Sequence, residues 1–260
     1  YKVMTDKDEY EALTVIAAPG GAAAPKLGGT ELVYDILDRT ELKIVTPHPA
    51  LCRLKCGEKM SELAGVRARC RASLIDNGNI YDSELGEVQF ADGSLSGIVI
   101  FNLSMQCIDL LIEGAHPSIQ LELVPEMHEE DVYNFIRSFI SQNPNRCVEA
   151  MFNGLVNEKI SRFIMNRLHI TAMTAAELDD EELRCIVFEL KHMTFAIKDY
   201  GSYDESQAAC GGVDTRQLRP DTMEADGYKG LYIAGEYVDV TGKCGGYNIM
   251  WAVASGTLAG

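Results

Sequence analysis

The chain has 260 residues, 47% hydrophobic and 24% charged, a composition that excludes global disorder and leaves room for two domains. Its formal net charge of −16 weighs against a nucleic-acid backbone or an anionic membrane surface as the main partner. No apolar run is long enough to span a bilayer.

In chain order, Tyr1 to Tyr10 reads as strand with a charged turn at Asp6 to Glu9, and Ala12 to Ala18 as a buried strand stopped by Pro19-Gly20-Gly21. Gly28-Gly29-Thr30 opens a predicted helix from Glu31 to Asp38. Pro47-His48-Pro49 reads as a rigid linker, in which His48 is a weak candidate for chemistry. From Leu51 to about Val124 the pattern becomes short strands. Val66 to Ile75 alternates apolar and basic residues, Asp76-Asn77-Gly78-Asn79 signals a hairpin, and Gly86 to Phe90 and Ile119 to Val124 continue the theme. Ser94 to Gly97 opens a helix or strand at Ile98 to Leu103. A small β-barrel is expected. Arg67, Arg69 and Arg71 share one face, as a solvated surface or, less simply, a phosphate contact.

Helices are predicted to dominate from Glu129 to Lys198. Val132, Phe135, Ile136, Phe139 and Ile140 have helical spacing, Cys147 to Leu168 reads as a second amphipathic helix, and Thr174-Ala-Ala-Glu177 resembles a capping box ahead of a third, ending near Leu190. The eight cysteines form no Cys-x-x-Cys pair and the five histidines are scattered, so no metal site is expected. Cys52 and Cys56 are expected on one side of a strand. Free thiols and the lack of a signal-peptide pattern lead us to expect a reducing, cytoplasmic setting.

The most informative stretch is the last. Leu231 to Ala234 is a short apolar strand stopped by Gly235, and Glu236 sits at its carboxyl end, where open α/β sheets bind ligands. Asp239 follows, then Gly245-Gly246-Tyr247-Asn248 opening an apolar segment to Leu258 that reads as a buried helix. A strand end, a carboxylate, a Gly-Gly turn and a helix start suit a polar cofactor. The carboxylate can accept from a sugar or ribityl hydroxyl, glycines permit close backbone approach, and a helix N-terminus favours negative charge. Cys244, beside the glycines, is either a thiol activated by that N-terminus or a small capping residue.

This run resembles the flavin-binding carboxyl-terminal segment of the BaiN-like flavoproteins, also called aminoacetone-oxidase-like FAD-binding enzymes. Gly230 to Glu236, Asp239, Gly245 to Asn248, Ser255-Gly256 and Ala259-Gly260 carry the likeness, with Gly211-Gly212-Val213 and Thr222-Met223-Glu224 upstream. The resemblance implies that Gly20 and Gly21 pass the flavin, with Pro19 departing from the family's pattern. It also implies that Glu236 binds a ribityl hydroxyl and that the Gly246 to Asn248 amides face the flavin's pyrimidine edge. Cofactor-binding candidates are thus Gly20, Gly21, Gly235, Glu236, Asp239, Gly245, Gly246, Tyr247 and Asn248, with no catalytic residue assigned.

The Gly-x-Gly-x-x-Gly motif that usually opens such flavoproteins does not occur, so a chain lacking the family's amino-terminal region is expected, with that region as its partner. The expected fold is α/β plus an α+β insert: a partial two-dinucleotide-type (Rossmann-like) FAD-binding domain, residues 1–46 and 201–260, around an inserted β-barrel, 47–127, and a helical subdomain, 128–200. The expected function is that of an FAD-dependent oxidoreductase using NAD(P)H to reduce a small or conjugated organic substrate. Two alternatives stay open: a truncated or degenerate, non-catalytic binding module, and an oxygen-using oxidase of a small amine or ketone.

Overall fold

In a computed structural model describing residues 1–37 and 40–260, the strands are β1 (Lys2–Met4), β2 (Glu9–Glu11), β3 (Val15–Ala17), β4 (Ile44–Ala50), β5 (Leu54–Cys56), β6 (Arg67–Asp76), β7 (Asn79–Ala91), β8 (Ser94–Ser96), β9 (Ser118–Glu122), β10 (Met193–Tyr200), β11 (Ala208–Val213) and β12 (Leu231–Ile233). The α-helices are α1 (Ile98–Ile112), α2 (Glu129–Gln142), α3 (Glu158–Arg167), α4 (Asp180–His192) and α5 (Tyr247–Ala259). The chain divides into two compact units, Tyr1–Cys52 with Gly201–Gly260, and Arg53–Tyr200.

The second unit is built on a closed barrel in the order β10-β5-β8-β7-β6-β9. Its long hairpin, β6 with β7, turns at Asn77 and Gly78, both left-handed (φ 48° and 78°), the geometry that matches strand twist in a two-residue turn. Alternation puts Cys70, Ala72 and Leu74 of β6 inside, while Arg67, Arg69 and Arg71 point out. Each arginine meets a carboxylate: Arg67 pairs with Glu87 at 3.0 Å, Arg71 with Glu122 at 3.2 Å, and Arg69 with Glu126. The face is a solvated ion-pair surface. Phe195 of β10 centres the core, edge-on to Phe90 at 6.1 Å and stacked with Phe163 of α3 at 6.2 Å.

Several expectations in this unit are corrected. Met193–Tyr200, expected as helix, is the strand that closes the barrel, with Met193, Phe195 and Ile197 buried in alternation. Cys147 to Leu168 is no single helix: a 3₁₀ turn at Val148–Phe152 precedes left-handed Gly154 (φ 86°), and α3 starts anew with the Asn157 carboxamide accepting from the Lys159 amide at 2.9 Å. Thr174 begins only a short 3₁₀ turn and makes no side-chain cap, its hydroxyl donating to the Glu177 carboxylate instead, whereas the helix-starting capping box is Asp179 with Glu182. The segment at Ile98 is helical and runs on to Ile112.

The first unit is assembled from two-stranded pieces: the hairpin β1-β2, antiparallel β4-β11, and the parallel pair β3-β12. Pro47-His48-Pro49 lies within β4 rather than in a linker; among the described residues β4 pairs only with β11, so a proline's missing N–H falls on an edge. His48 sits opposite Cys210 in that ladder. Cys52 and Cys56 do not share a strand, and all eight cysteines are free thiols. Burial, with Glu58 adding to it, pushes the Cys56 thiol up to about 12. Glu31–Leu37 is a 3₁₀ helix, and Asp38, the expected end, lies outside the described residues. Two segments expected to be buried are exposed: Ile16 of β3 is 48% accessible, and Ile249, Met250 and Val253 leave much of α5 open.

Candidate functional site

Parallel pairing of β3 with β12 sets Val15 against Leu231 and Ala17 against Ile233, so both strands end at the same edge. The candidate glycines follow directly, Gly20-Gly21 after β3 and Gly235 after β12. Glu236 therefore projects at the carboxyl end of the pair. Its Oε1 accepts from the Ala209 amide of β11 at 2.9 Å. The other oxygen lies against Gly21, where a Cβ would stand 2.9 Å from Oε2 and 3.0 Å from Cδ. Gly21 is glycine because the carboxylate occupies its side-chain space. Gly20 differs, being left-handed (φ 85°) with open space around it.

Replacing Gly21 with alanine is expected to destabilise the protein by about 1–3 kcal/mol through overpacking. Glu236→Ala in the same chain should remove most of that penalty, since the clash is with this side chain. Thermal melts of the two single variants and the double variant give the coupling. Additive effects would contradict the contact.

The turn bearing Glu236 is held from α5. The Ser255 hydroxyl accepts from the Gly235 amide at 2.9 Å, and the Trp251 indole N–H donates to the Gly235 carbonyl at 3.0 Å. The Asn248 carboxamide closes residues 242–248 as a ring, accepting from the Gly242 amide at 2.7 Å and donating to its carbonyl at 3.0 Å. Asn248 thus serves the loop with its side chain. Gly245 and Gly246 are both left-handed (φ 125° and 90°), and Gly246, at the cap of α5, has no side chain to bond the first-turn amides. Gly245, Gly246 and Tyr247 are exposed where α5 begins, and a Cβ at Gly246 would meet nothing within 4 Å, so the start of this helix is open to solvent. Asp239 is tied through its backbone amide to the Val213 carbonyl at 3.0 Å.

Sequence reasoning missed Tyr34, Ala209 and Trp251, and it singled out Ser255 only as part of the family pattern, without a role. Tyr34 stacks on Tyr237 at 5.9 Å, while the Tyr237 hydroxyl donates to the Val33 carbonyl at 2.7 Å. Burial, and then the Glu236 charge, push the Tyr34 hydroxyl up to about 12. Of the two roles open to Cys244, the structure does not favour the activated thiol: burial raises its pKa, and its Sγ lies 3.7 Å from the Gln207 side-chain oxygen.

The model of the family described as HI0933-like protein Rossmann domain matches residues 1–260. The chain belongs to this HI0933-like family. Membership bears out the resemblance read from the terminal run. The chain is similar to a 3-dehydro-bile acid delta(4,6)-reductase of Clostridium scindens, 29% identical over all of this chain and 64% of the relative. It is similar also to ribosomal RNA dihydrouridine synthases of Haemophilus influenzae (22% identical; 98% of the chain, 61% of the relative) and Escherichia coli (25%; 93% and 58%). The chain therefore spans about three-fifths of the length of these relatives.

Proposed function

We propose that this chain supplies the insert and the carboxyl-terminal cofactor segment of an FAD-dependent oxidoreductase. The observation that carries the reading is the meeting of Glu236 with Gly21 at the carboxyl ends of β3 and β12, beside the open amide end of α5. FAD fits this chemistry. One Glu236 oxygen is anchored on Ala209 and the group stays half-buried, so the carboxylate is positioned to accept from a ribityl hydroxyl. The first-turn amides of α5 offer donors to a carbonyl edge or developing negative charge. Trp251 and Ser255 hold the turn still, so binding need not order it. When bound, FAD supplies the two-electron chemistry.

The relatives' names, a delta(4,6)-reductase and dihydrouridine synthases, both describe gain of hydrogen, which favours reduction of a conjugated substrate with NAD(P)H over oxygen-dependent oxidation. A small organic substrate suits a chain of net charge −16 better than RNA does. The relatives' greater length, and apolar α5 surface left open at Ile249, Met250 and Val253, support a further segment of the same protein as partner, for which we propose the amino-terminal region. No helix among the described residues is long and apolar enough to cross a membrane, and eight free thiols suit a reducing compartment; we propose the cytoplasm.

The test is an absorbance spectrum of the purified chain before and after adding FAD, repeated on the full-length protein. The chain alone is expected to take up FAD weakly or not at all. The full-length protein should retain yellow flavin that NADPH or NADH bleaches without oxygen. A full-length protein that neither holds nor takes up flavin sinks the proposal, and bleaching only by a small amine or ketone favours the oxidase reading.

A further inference from the structure

Strand β11 meets the carboxyl-terminal segment through Ala209. Among the described residues β11 forms a ladder only with β4, where Ala209 stands opposite Pro49, a residue with no N–H to give. The N–H and the carbonyl of Ala209 both turn the other way. The N–H donates to Glu236 Oε1 at 2.9 Å, and the carbonyl accepts from the Thr241 hydroxyl at 3.0 Å. Ala209 is buried, so these two side chains stand where a further strand would otherwise satisfy the edge.

Thr241 directly precedes Gly242, whose amide and carbonyl are both bonded by the Asn248 carboxamide. Residues 242–248 therefore move as a closed ring, and Thr241 ties that ring to the same residue that anchors Glu236. Cys244 adds a weaker tie from within the ring, its Sγ 3.7 Å from the side-chain oxygen of Gln207, just ahead of β11. Trp251 and Ser255 hold the Gly235 turn from the body of α5, whereas Thr241 holds the loop that leads into α5.

On the reading that Glu236 and the start of α5 hold FAD, we propose that Thr241 is a positioning residue of the cofactor site. Through Ala209 it sets the spacing between the Glu236 carboxylate and the first-turn amides of α5. A ligand that donates to the carboxylate and accepts from the amides needs both at a fixed separation, so a preset spacing lowers the ordering cost of binding. A hydroxyl that only satisfied an edge carbonyl would matter to stability alone.

Thr241→Val keeps the side chain's shape and removes the donor, while Thr241→Ser keeps the donor. Thr241 is half-buried in a loop, so neither change disturbs the core, and Thr241→Ala removes the same donor in a second way. In the full-length protein, Thr241→Val and Thr241→Ala are expected to weaken FAD binding roughly three- to tenfold, as loss of one neutral hydrogen bond would, with Thr241→Ser close to the parent. The reduction potential of the bound flavin should become more negative in Thr241→Val, because fewer donors then meet the charge of the reduced ring. In the same protein stripped of flavin, amide exchange across residues 242–248 should quicken in Thr241→Val and not in Thr241→Ser. Glu236→Gln, measured alongside, reports on the site itself. Weaker FAD binding in Glu236→Gln with affinity and potential unchanged in Thr241→Val would overturn the role of Thr241, whatever the melting temperature does, and leave the flavin reading standing. Unchanged affinity in both variants would overturn the two together.

Discussion

Glu236→Gln in the full-length protein is expected to weaken FAD binding by roughly ten- to a hundredfold, the equivalent of one hydrogen bond to a charged group at about 1.5–3 kcal/mol. Glutamine keeps the shape and an oxygen that can accept from Ala209, so the melting temperature should change little. Glu236→Ala should lose flavin to the same degree and stability besides, because the Ala209 amide is then left without its acceptor. Flavin fluorescence titration against thermal melts separates the two effects. Unchanged FAD affinity in Glu236→Gln would remove this residue from the cofactor site while leaving its structural contact intact.

The parts of this site that were legible in the sequence are those where one residue type has one physical reason. An apolar run stopped by glycine marked β12, and the Gly-Gly before an apolar segment marked the start of α5. Asn77-Gly78 marked the hairpin because few residues tolerate two left-handed positions in succession. The roles of Trp251 and Ser255 were not legible, although Ser255-Gly256 belongs to the family pattern. Both act through long-range bonds to Gly235, 16 and 20 residues away, and nothing local distinguishes them from core residues. Gly21 was legible as important for a different reason than the structure supplies, since its space is filled by Glu236. Strand β10 had the right alternation but follows α4 with no breaking residue between His192 and Met193, so helical periodicity concealed it. In α5, apolar residues all round imply burial, and composition cannot say what covers them.

The barrel unit depends on a buried cation that offers a large and separable effect. Lys191, at the end of α4, is 7% exposed, and its ammonium donates to the Val124 carbonyl at 2.9 Å and the Met127 carbonyl at 2.5 Å. Glu122 of β9 completes the set at 2.5 Å, while its other oxygen holds Arg71. Lys191→Ala removes the charge, the donors and the packed stem together, leaving a carboxylate and two carbonyls facing a cavity. Breaking a buried pair in this way costs about 3–5 kcal/mol, or roughly 10 °C for a unit of this size. The loss should be confined to one unit, and the chain can report it. Its single tryptophan, Trp251, lies in the first unit, whereas α1 to α4 lie in the second. Lys191→Ala is therefore expected to lower the far-ultraviolet circular dichroism midpoint and leave the tryptophan fluorescence transition in place. If both transitions fall together, the two units unfold as one cooperative body, and the Lys191 cluster stabilises the whole chain rather than the barrel alone.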